Sequence, residues 1–196
     1  LTLSRASVDH LSTGTANGAG TTLSGVVLTS VDGVGYWLAL NIGDSRTYRL
    51  GGGEFEQISV DHSVVQELVD AGSLTEQEAA VDSRRNIITR AIGAGSDGEA
   101  DYWMLPVEQG ERMLICSDGL STEIGDGAIR ALLATLRDPQ DAAEALVAAA
   151  VQAGGRDNIT AVVVDAVSVG VRPTADGWID DIADTRPRET TAGGIR

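Results

Sequence analysis

The sequence lacks lysine, has one cysteine and has no long apolar run, and each scarcity excludes a class of function. All 14 basic side chains are arginine, which excludes a Schiff-base lysine and a phosphate loop of the Walker type. The single cysteine, Cys116, cannot form an internal disulfide or a thiolate metal cluster. No run of apolar residues approaches the length that spans a bilayer. We therefore expect no membrane insertion.

Basic side chains are outnumbered by 29 acidic ones, which gives a formal net charge of −15 over 196 residues. A chain this acidic does not neutralise a run of phosphates, so nucleic-acid binding is not expected. The composition, 42% hydrophobic and 22% charged, is typical of a globular domain. Together these features predict an acidic, soluble, cytoplasmic domain.

Predicted strands and helices fall into separate blocks along the chain. Strands are predicted near residues 1–8, 22–29, 36–42, 46–50, 54–59, 101–105, 112–116 and 159–167, with an antiparallel meander in the first third and a well-buried last strand. Four helices are predicted. The first lies near residues 64–72, the second begins after Thr75, the third is capped by Asp126, and the fourth begins at Asp138. This arrangement predicts an α+β sandwich. Residues 1–169 form the predicted domain, and residues 170–196 a polar tail or linker.

Three aspartates lie where hydrophobic strands end or begin. Asp44 and Asp118 each follow an apolar strand, and Asp157 lies between a helix end and the last strand. Oxygen ligands at strand ends suit hard cations such as Mg²⁺ or Mn²⁺. Aspartate is also a common turn residue, so spacing alone leaves the metal-site and turn interpretations open. His10 and His62 do not lie in a zinc-binding pattern.

Five motifs occur in an order shared with one protein family. They are Gly20-Thr21-Thr22-Leu23, Asn41-Ile42-Gly43-Asp44-Ser45-Arg46, Asp61-His62-Ser63, Leu114-Ile115-Cys116-Ser117-Asp118-Gly119-Leu120 and Gly154-Gly155-Arg156-Asp157-Asn158-Ile159-Thr160. Their order and content resemble the metal-dependent Ser/Thr protein phosphatases of the PPM type, especially the compact bacterial members. The resemblance covers roughly residues 20–166.

The resemblance implies two antiparallel β-sheets packed as a sandwich, helical layers outside them, and a two-metal centre at one end. It implies that Asp118 and Asp157 bind the second metal of the pair, and that Asp44 helps Asp118 to hold a third, weaker one. The implied reaction is hydrolysis of phosphoserine and phosphothreonine by a metal-activated water, with Mn²⁺ or Mg²⁺ as cofactor. The implied partners are phosphorylated proteins, namely a Ser/Thr kinase or its substrates.

The sequence also departs from the family pattern. These 196 residues contain no Asp-Gly-x-Gly-Gly-His motif, whose aspartate bridges both metals in the family, so the catalytic residue is not identified. We interpret Asp32-Gly33 as a hairpin turn instead of a substitute for that motif. Leu1–Val8 resembles the family's first strand, which predicts that a segment between about residues 8 and 20 is missing and that the N-terminal part is incomplete. An omitted segment, an engineered fragment or a degenerate homologue would each explain this.

An arginine-bearing segment, residues 62–92, is predicted to form a mobile flap beside the metal site. Arg84 or Arg85 would there contact a substrate phosphate. The competing interpretation is a pair of solvated surface arginines.

Three functions remain open from the sequence. The first is a PPM-type protein phosphatase, which the five ordered motifs favour. The second is a catalytically inert phosphatase-like module that binds a phosphoprotein or a regulatory partner, which the missing bridging aspartate favours. The third is a regulatory phosphatase with one narrow protein substrate.

Overall fold

Nine strands and six helices make up the fold in a computed structural model, which describes residues 2–12, 19–93 and 98–169. The helices are α1 (Thr2–Ser12), α2 (Val64–Asp70), α3 (Glu76–Ala79), α4 (Asp118–Glu123), α5 (Asp126–Thr135) and α6 (Pro139–Ala153). The strands are β1 (Gly20–Thr21), β2 (Leu23–Val31), β3 (Val34–Ile42), β4 (Arg46–Gly51), β5 (Glu54–Gln57), β6 (Ile92–Gly93), β7 (Asp101–Pro106), β8 (Arg112–Cys116) and β9 (Ala161–Asp165). The predicted tail, 170–196, lies outside the described residues.

Two antiparallel sheets hold seven of these strands, in the orders β2-β3-β7 and β5-β4-β8-β9, while β1 pairs with β6. The prediction of a single meander in the first third is therefore wrong. The hairpin of β2 and β3 belongs to one sheet, and the hairpin of β4 and β5 belongs to the other. The chain changes sheet at residues 43–45, where Gly43 adopts a φ of 103° that disfavours continued extended pairing.

Apolar side chains form one layer between the two sheets and another under the helices. Trp37 of β3 and Met113 of β8 are buried in the layer between the sheets. Leu114, also on β8, faces the opposite way and packs with Ile129 of α5 and Leu146 of α6. This alternation along β8 confirms the predicted α+β sandwich with helices outside.

The helices of the described residues cover the two sheets unequally. Helices α4, α5 and α6 pack on the outer face of the four-stranded sheet. On the outer face of the three-stranded sheet, Val27, Tyr102 and Met104 are about half exposed. No helix within residues 2–12, 19–93 and 98–169 is long and apolar enough to cross a membrane.

The N-terminal segment is a helix, so the prediction of a strand over Leu1–Val8 is wrong. Helix α1 contains leucine, arginine and alanine, which favour helices, and Ser7 Oγ donates to the carbonyl of Leu3 at 3.0 Å. The helix lies against β1 and β6, and Val8 is so close to Gly93 that a Cβ added there would lie 2.5 Å from Val8 Cγ1. Packing against this short ladder therefore accompanies the helical conformation of the segment.

Three further details differ from the sequence-based expectations. Strand β9 is the outermost strand of its sheet and Val162 is 49% exposed, so the expectation of a well-buried strand is wrong. The N-cap of α5 is Gly125, and Asp126 is the first helical residue instead of the cap. Helix α4 was not expected, because Asp118-Gly119 at its start is also a common turn pair.

The turn between β2 and β3 confirms the interpretation of Asp32-Gly33. Asp32 and Gly33 have φ values of 51° and 79°, and Val31 pairs with Val34 on either side of them. Positive φ at both central residues is the signature of a two-residue hairpin turn. These residues therefore do not substitute for the family's metal-binding motif.

A buried glutamate links the two sheets and leads to a stability prediction. Glu111 is 2% exposed and accepts hydrogen bonds from Trp37 Nε1 at 3.3 Å, Arg49 Nε at 2.9 Å and the Glu108 amide at 2.9 Å. We expect Glu111→Ala to lower the free energy of unfolding by about 3 kcal/mol in a urea titration, because Arg49 loses its buried partner and Trp37 Nε1 and the Glu108 amide lose their acceptor. Glu56→Ala is the control, since Glu56 is half exposed and pairs with the same arginine at 3.4 Å. Equal losses for both variants would contradict the prediction.

Candidate metal centre

Two of the predicted ligands meet at one end of the sandwich. Arg46 at the start of β4 pairs with Cys116 at the end of β8. Asp44 and Asp118 lie two residues beyond these partners, Asp44 in the crossing between the sheets and Asp118 at the first position of α4. The pairing of β4 with β8 therefore brings together two carboxylates that are 74 positions apart in the sequence.

The electrostatics of Asp44 show how close the two carboxylates are. Burial, as the larger cause, and the negative charge of Asp118, as the second, raise the pKa of Asp44 from 3.8 to about 6. Asp61 adds a smaller repulsion, while Arg46 and a backbone hydrogen bond act in the opposite direction. The arrangement therefore destabilises the ionised form of Asp44, and a bound cation would relieve that repulsion.

The start of α4, at Asp118, is connected by hydrogen bonds to the loop that carries Asp157. Ser117 Oγ donates to the carbonyl of Asn158 at 3.2 Å and accepts from the amide of Thr160 at 3.0 Å. Gly119 is in such close contact that a Cβ there would lie 2.3 Å from the carbonyl oxygen of Asn158. The two loops thus have a fixed relative position, with Asp118 and Asp157 at their tips.

Asp157 itself is exposed and does not line the cleft that Asp44 and Asp118 share. One of its oxygens, Oδ1, accepts from the amide of Asn158 at 2.7 Å, and Asp118 Oδ1 accepts from the amide of Gly119 at 2.9 Å. Within the described ranges, no group of three or more histidine, cysteine, aspartate or glutamate residues stands ready to hold a metal ion. The structure therefore brings Asp44 and Asp118 together and leaves Asp157 on the adjoining loop.

The cleft lined by Asp44 and Asp118 has a volume of about 870 Å³. Its other wall consists of α2, α3 and the segment that follows α3, with Val65, Val69 and Val81 among the lining residues. This wall is the predicted flap, and it lies beside the carboxylates as expected.

Two of the arginines that line the cleft, Arg46 and Arg156, form ion pairs with carboxylates other than those of Asp44 and Asp118. Arg46 Nη2 contacts Asp61 Oδ2 at 2.7 Å, and Arg156 Nε contacts Glu123 Oε1 at 2.9 Å. Among the residues that the structure describes, Asp44 forms no ion pair with an arginine, and its pKa is raised although Arg46 acts to lower it. The donor set around Asp44 and Asp118 is therefore anionic oxygen with little compensating charge, which fits a Mg²⁺ or Mn²⁺ ion.

The two flap arginines have different surroundings. Arg84 donates to Asp82 through Nε at 2.9 Å and Nη2 at 2.8 Å, and it does not line the cleft. Arg85 lines the cleft and makes a weak 3.4 Å contact with the carbonyl of Asp82. The interpretation of a surface pair suits Arg84, whereas Arg85 is placed to meet a ligand in the cleft.

The motif Asp61-His62-Ser63 has contacts to which the sequence assigned no role. Asp61 accepts from Arg46, and Ser63 caps α2 by accepting from the amide of Gln66. His62 Nδ1 accepts from the amide of Gly43, directly before Asp44. The order of motifs placed these residues in the family pattern, but only the fold shows which of them contact the loop of Asp44.

The raised pKa of Asp44 leads to a prediction for the metal-free protein. A carboxyl whose folded-state pKa is raised stabilises the fold at low pH, and this stabilisation is lost as the pH rises from about 4 to about 6. In EDTA at pH 7, we expect Asp44→Asn to raise the free energy of unfolding by about 1–2 kcal/mol, a value reduced for partial exposure.

Two controls accompany this prediction. The gain from Asp44→Asn should vanish at pH 4, where both side chains are neutral. Addition of Mn²⁺ should stabilise the wild type more than the variant. Thermal unfolding at both pH values, with EDTA and with Mn²⁺, measures these effects, and a variant less stable than the wild type in EDTA at pH 7 would contradict them.

Comparisons with known proteins agree with the sequence motifs. A family profile described as Protein phosphatase 2C matches residues 4–158. Protein phosphatase PhpP of Streptococcus pneumoniae is 40% identical over 147 residues, which cover 75% of this chain and 58% of that protein. The chain therefore spans about three fifths of the length of the curated relatives it matches.

Solved structures give the same result. The PPM Ser-Thr phosphatase MsPP from Mycobacterium smegmatis, in complex with cacodylate, superposes with a TM-score of 0.75 at 39% identity, covering 83% of this chain and 69% of that one. The catalytic domain of the serine threonine protein phosphatase PstP, in complex with two manganese ions, superposes with a TM-score of 0.70 at 34% identity, covering 84% and 68%. The resemblance seen in the motifs is thereby confirmed, and this chain belongs to the Protein phosphatase 2C family.

Proposed function

We propose that this chain carries most of the site of a metal-dependent phosphatase that hydrolyses phosphoserine and phosphothreonine in proteins. The observation that carries the proposal is the convergence of Asp44 and Asp118 in an acidic cleft at the end of the sandwich. Membership in the Protein phosphatase 2C family, with relatives named as serine/threonine phosphatases, supports the reaction type.

The proposed ligands are the three aspartates that the motifs single out. Asp118 and Asp157 hold the second ion of the two-metal centre. Asp44 and Asp118 together hold a third ion, which is bound more weakly. The hydrogen bonds of Ser117 to Asn158 and Thr160 support a site shared by Asp118 and Asp157. The repulsion between the carboxylates of Asp44 and Asp118 supports a site shared by these two residues. Mn²⁺ or Mg²⁺ is the proposed cofactor, because a structural neighbour is in complex with two manganese ions.

The chain's own residues orient the site, and its single thiol is not a candidate nucleophile. Bound divalent ions supply Lewis-acid chemistry, which lowers the pKa of a water and neutralises phosphoryl oxygens. Gly119 holds one oxygen of Asp118 by a backbone hydrogen bond. Cys116 is buried in β8, and burial raises the pKa of its thiol to about 12, so this thiol is not available as a nucleophile. Hydrolysis without a phosphoenzyme agrees with that.

Arg85 is the proposed contact for the substrate phosphate. We expect Arg85→Ala to raise KM for a phosphothreonine peptide about tenfold with kcat little changed, because the guanidinium contributes binding that is equal in the ground and transition states. Arg84→Ala is the matched control and should leave both constants unchanged, since Arg84 is paired with Asp82. Steady-state kinetics measure both variants, and a larger effect of Arg84→Ala would reverse the assignment.

The proposed partners are phosphorylated proteins, namely a Ser/Thr kinase or the substrates of such a kinase, and the proposed location is the cytoplasm. The cleft is lined by Arg85, which could contact a phosphate, and by an apolar flap wall that could contact the flanking peptide, which supports a phosphorylated peptide as ligand. A lone, buried cysteine is consistent with a reducing compartment.

Phosphate release from phosphoserine and phosphothreonine peptides, in Mn²⁺ and in EDTA, tests the proposed function. Because Thr2–Ser12 is a helix and not the family's first strand, the reason for placing the missing segment between residues 8 and 20 no longer holds. We use the name "extended chain" for these 196 residues preceded by a segment that carries the family's Asp-Gly-x-Gly-Gly-His motif. The extended chain should release phosphate in Mn²⁺ and none in EDTA. Phosphopeptide binding without release would favour the inert module, and release in EDTA would contradict the metal-dependent reaction.

A further inference from the structure

A buried histidine holds both backbone groups of the residue before Asp44. The amide of Gly43 donates to His62 Nδ1 at 3.1 Å, and the amide of His62 donates to the carbonyl of Gly43 at 2.9 Å. Asn41 Nδ2 donates to the same carbonyl at 2.9 Å. His62 is 2% exposed, so these bonds are shielded from water. The peptide that joins Gly43 to Asp44 is thereby fixed on its carbonyl side.

The tautomer of His62 follows from its partners. Because Nδ1 accepts from Gly43, the ring proton is on Nε2, which lies 3.0 Å from Asp101 Oδ2 and donates to it. Arg90 Nη1 donates to the other oxygen of Asp101 at 2.9 Å. Burial lowers the pKa of His62 below its ordinary value, which agrees with a neutral ring. Arg90, Asp101 and His62 thus form a chain of hydrogen bonds that ends on Gly43.

Gly43 itself cannot be replaced or reoriented without strain. It has a φ of 103°, and a Cβ at this position would lie 2.3 Å from Thr22 Cγ2. Glycine in this region is intrinsically free to adopt several conformations, so external bonds are needed to select one. His62 supplies a bond to each polar group of Gly43, and that selects the direction in which the chain enters Asp44.

We propose that His62 is a positioning residue for the metal centre: its ring fixes the amide of Gly43, its backbone amide fixes the carbonyl of Gly43, and Gly43 thereby holds the Asp44 carboxylate opposite Asp118. This inference rests on the proposed function, because it gives Asp44 and Asp118 a shared ion. The hydrogen bond from Gly43 to Nδ1 carries the effect, whereas the bond from Nε2 to Asp101 sets the tautomer and the ring orientation. Such outer contacts commonly change metal affinity by 10–100-fold.

Two substitutions of His62 separate positioning from general support of the fold. His62→Asn places an amide oxygen near the site of Nδ1, so Gly43 keeps an acceptor while the bond to Asp101 is lost. His62→Gln reaches the site of Nε2, so the bond to Asp101 is kept while Gly43 loses its acceptor. Both remove one buried hydrogen bond and one ring, so a purely structural role predicts similar consequences for the two variants.

The experiment measures Mn²⁺ affinity of the 196-residue chain by isothermal titration calorimetry, together with the urea midpoint of each variant. We expect His62→Gln to weaken Mn²⁺ binding at least about tenfold and His62→Asn by less than about threefold, with urea midpoints lowered by similar amounts. Equal Mn²⁺ affinities for the two variants, or weaker binding by His62→Asn, would overturn the proposal.

Two further proteins keep the outcome clear. If His62→Gln does not fold, Asp101→Ala takes its place, because it removes the acceptor that keeps the ring proton on Nε2 and sets the ring orientation; unchanged Mn²⁺ affinity would then overturn the proposal. Asp44→Asn should weaken binding at least as much as His62→Gln. A wild-type 196-residue chain that binds no Mn²⁺ would overturn this proposal, whereas the proposed function is tested separately by phosphate release from the extended chain. Binding by the wild type that is insensitive to His62→Gln would overturn this proposal alone.

Discussion

A polypeptide of these 196 residues alone should release little or no phosphate from a phosphothreonine peptide in Mn²⁺. The extended chain should be at least about 100-fold faster, because mispositioned reacting groups lose rates of that order. The physical reason is the composition of the centre: Asp44, Asp118 and Asp157 supply ligands, but the family's bridging aspartate is not among these residues. A two-ion centre without the shared ligand does not keep its ions at the required separation.

Mn²⁺-dependent release by both polypeptides, measured at equal protein concentration, tests this expectation. A variant of the extended chain in which the aspartate of the early motif is replaced by asparagine is the matched control and should return to the slow rate. Equal rates for the 196-residue and extended chains would show that the early motif is not needed. That result would contradict the account of an incomplete centre.

Loss of Asp118 should have the second large effect. In the extended chain, we expect Asp118→Asn to lower kcat/KM at least about 100-fold. Asp118 is a proposed ligand of two ions, one shared with Asp157 and one shared with Asp44, and the substitution removes its charge while keeping its shape. Asp157→Asn should have a comparable effect, because Asp157 is the other proposed ligand of the ion that it shares with Asp118. Steady-state kinetics over a range of Mn²⁺ concentrations measure both variants.

Asp126→Asn is the charge-matched control for these variants. Asp126 lines the same cleft, but it accepts a hydrogen bond from Tyr48 Oη at 3.2 Å and is not a proposed ligand. It should change kcat/KM by less than about threefold and leave the Mn²⁺ dependence unaltered, since loss of a first-turn carboxylate weakens a helix by only about 0.5 kcal/mol. Robust Mn²⁺-dependent turnover by Asp118→Asn would contradict both the ligand assignment and the mechanism.

Local signals were sufficient for much of the fold. The Asp32-Gly33 turn and the helices that begin after Thr75 and at Asp138 were expected from the sequence, and all are present. A capping box of Thr75 and Glu78 begins the first of these helices, and the side chain of Asp138 caps the second. In each case the side chains that define the element lie within a few residues of one another. Alternation between apolar and polar residues likewise located most strands, because one face of each strand is buried.

Elements whose conformation depends on distant partners were not predictable in the same way. The alternation over Leu1–Val8 fits a strand, but the segment is helical and packs against the β1–β6 ladder. An apolar sequence such as that of β9 does not reveal that the strand lies at a sheet edge. The change of sheet at Gly43 depends on its contact with Thr22, 21 positions away. Such features require the fold.

The candidate site likewise has parts that the sequence predicts and parts that only the fold shows. The motifs singled out Asp44, Asp118 and Asp157, and their placement near the ends of the three adjacent strands β4, β8 and β9 could be expected from the resemblance. The hydrogen bonds that join His62 to Gly43 could not, because nothing in the residues between them indicates which ring nitrogen accepts. The distinction between Arg84 and Arg85 also needed the fold, since the two are neighbours with the same chemistry.

The most direct measurement is anomalous diffraction from crystals of the extended chain soaked in Mn²⁺. The account predicts an anomalous peak with carboxylate oxygens of Asp118 and Asp157 at about 2.0–2.2 Å, the range for hard divalent ions of this size, and a weaker peak between Asp44 and Asp118. Peaks in the cleft that contact neither Asp118 nor Asp157, or a single ion held by other residues, would contradict it.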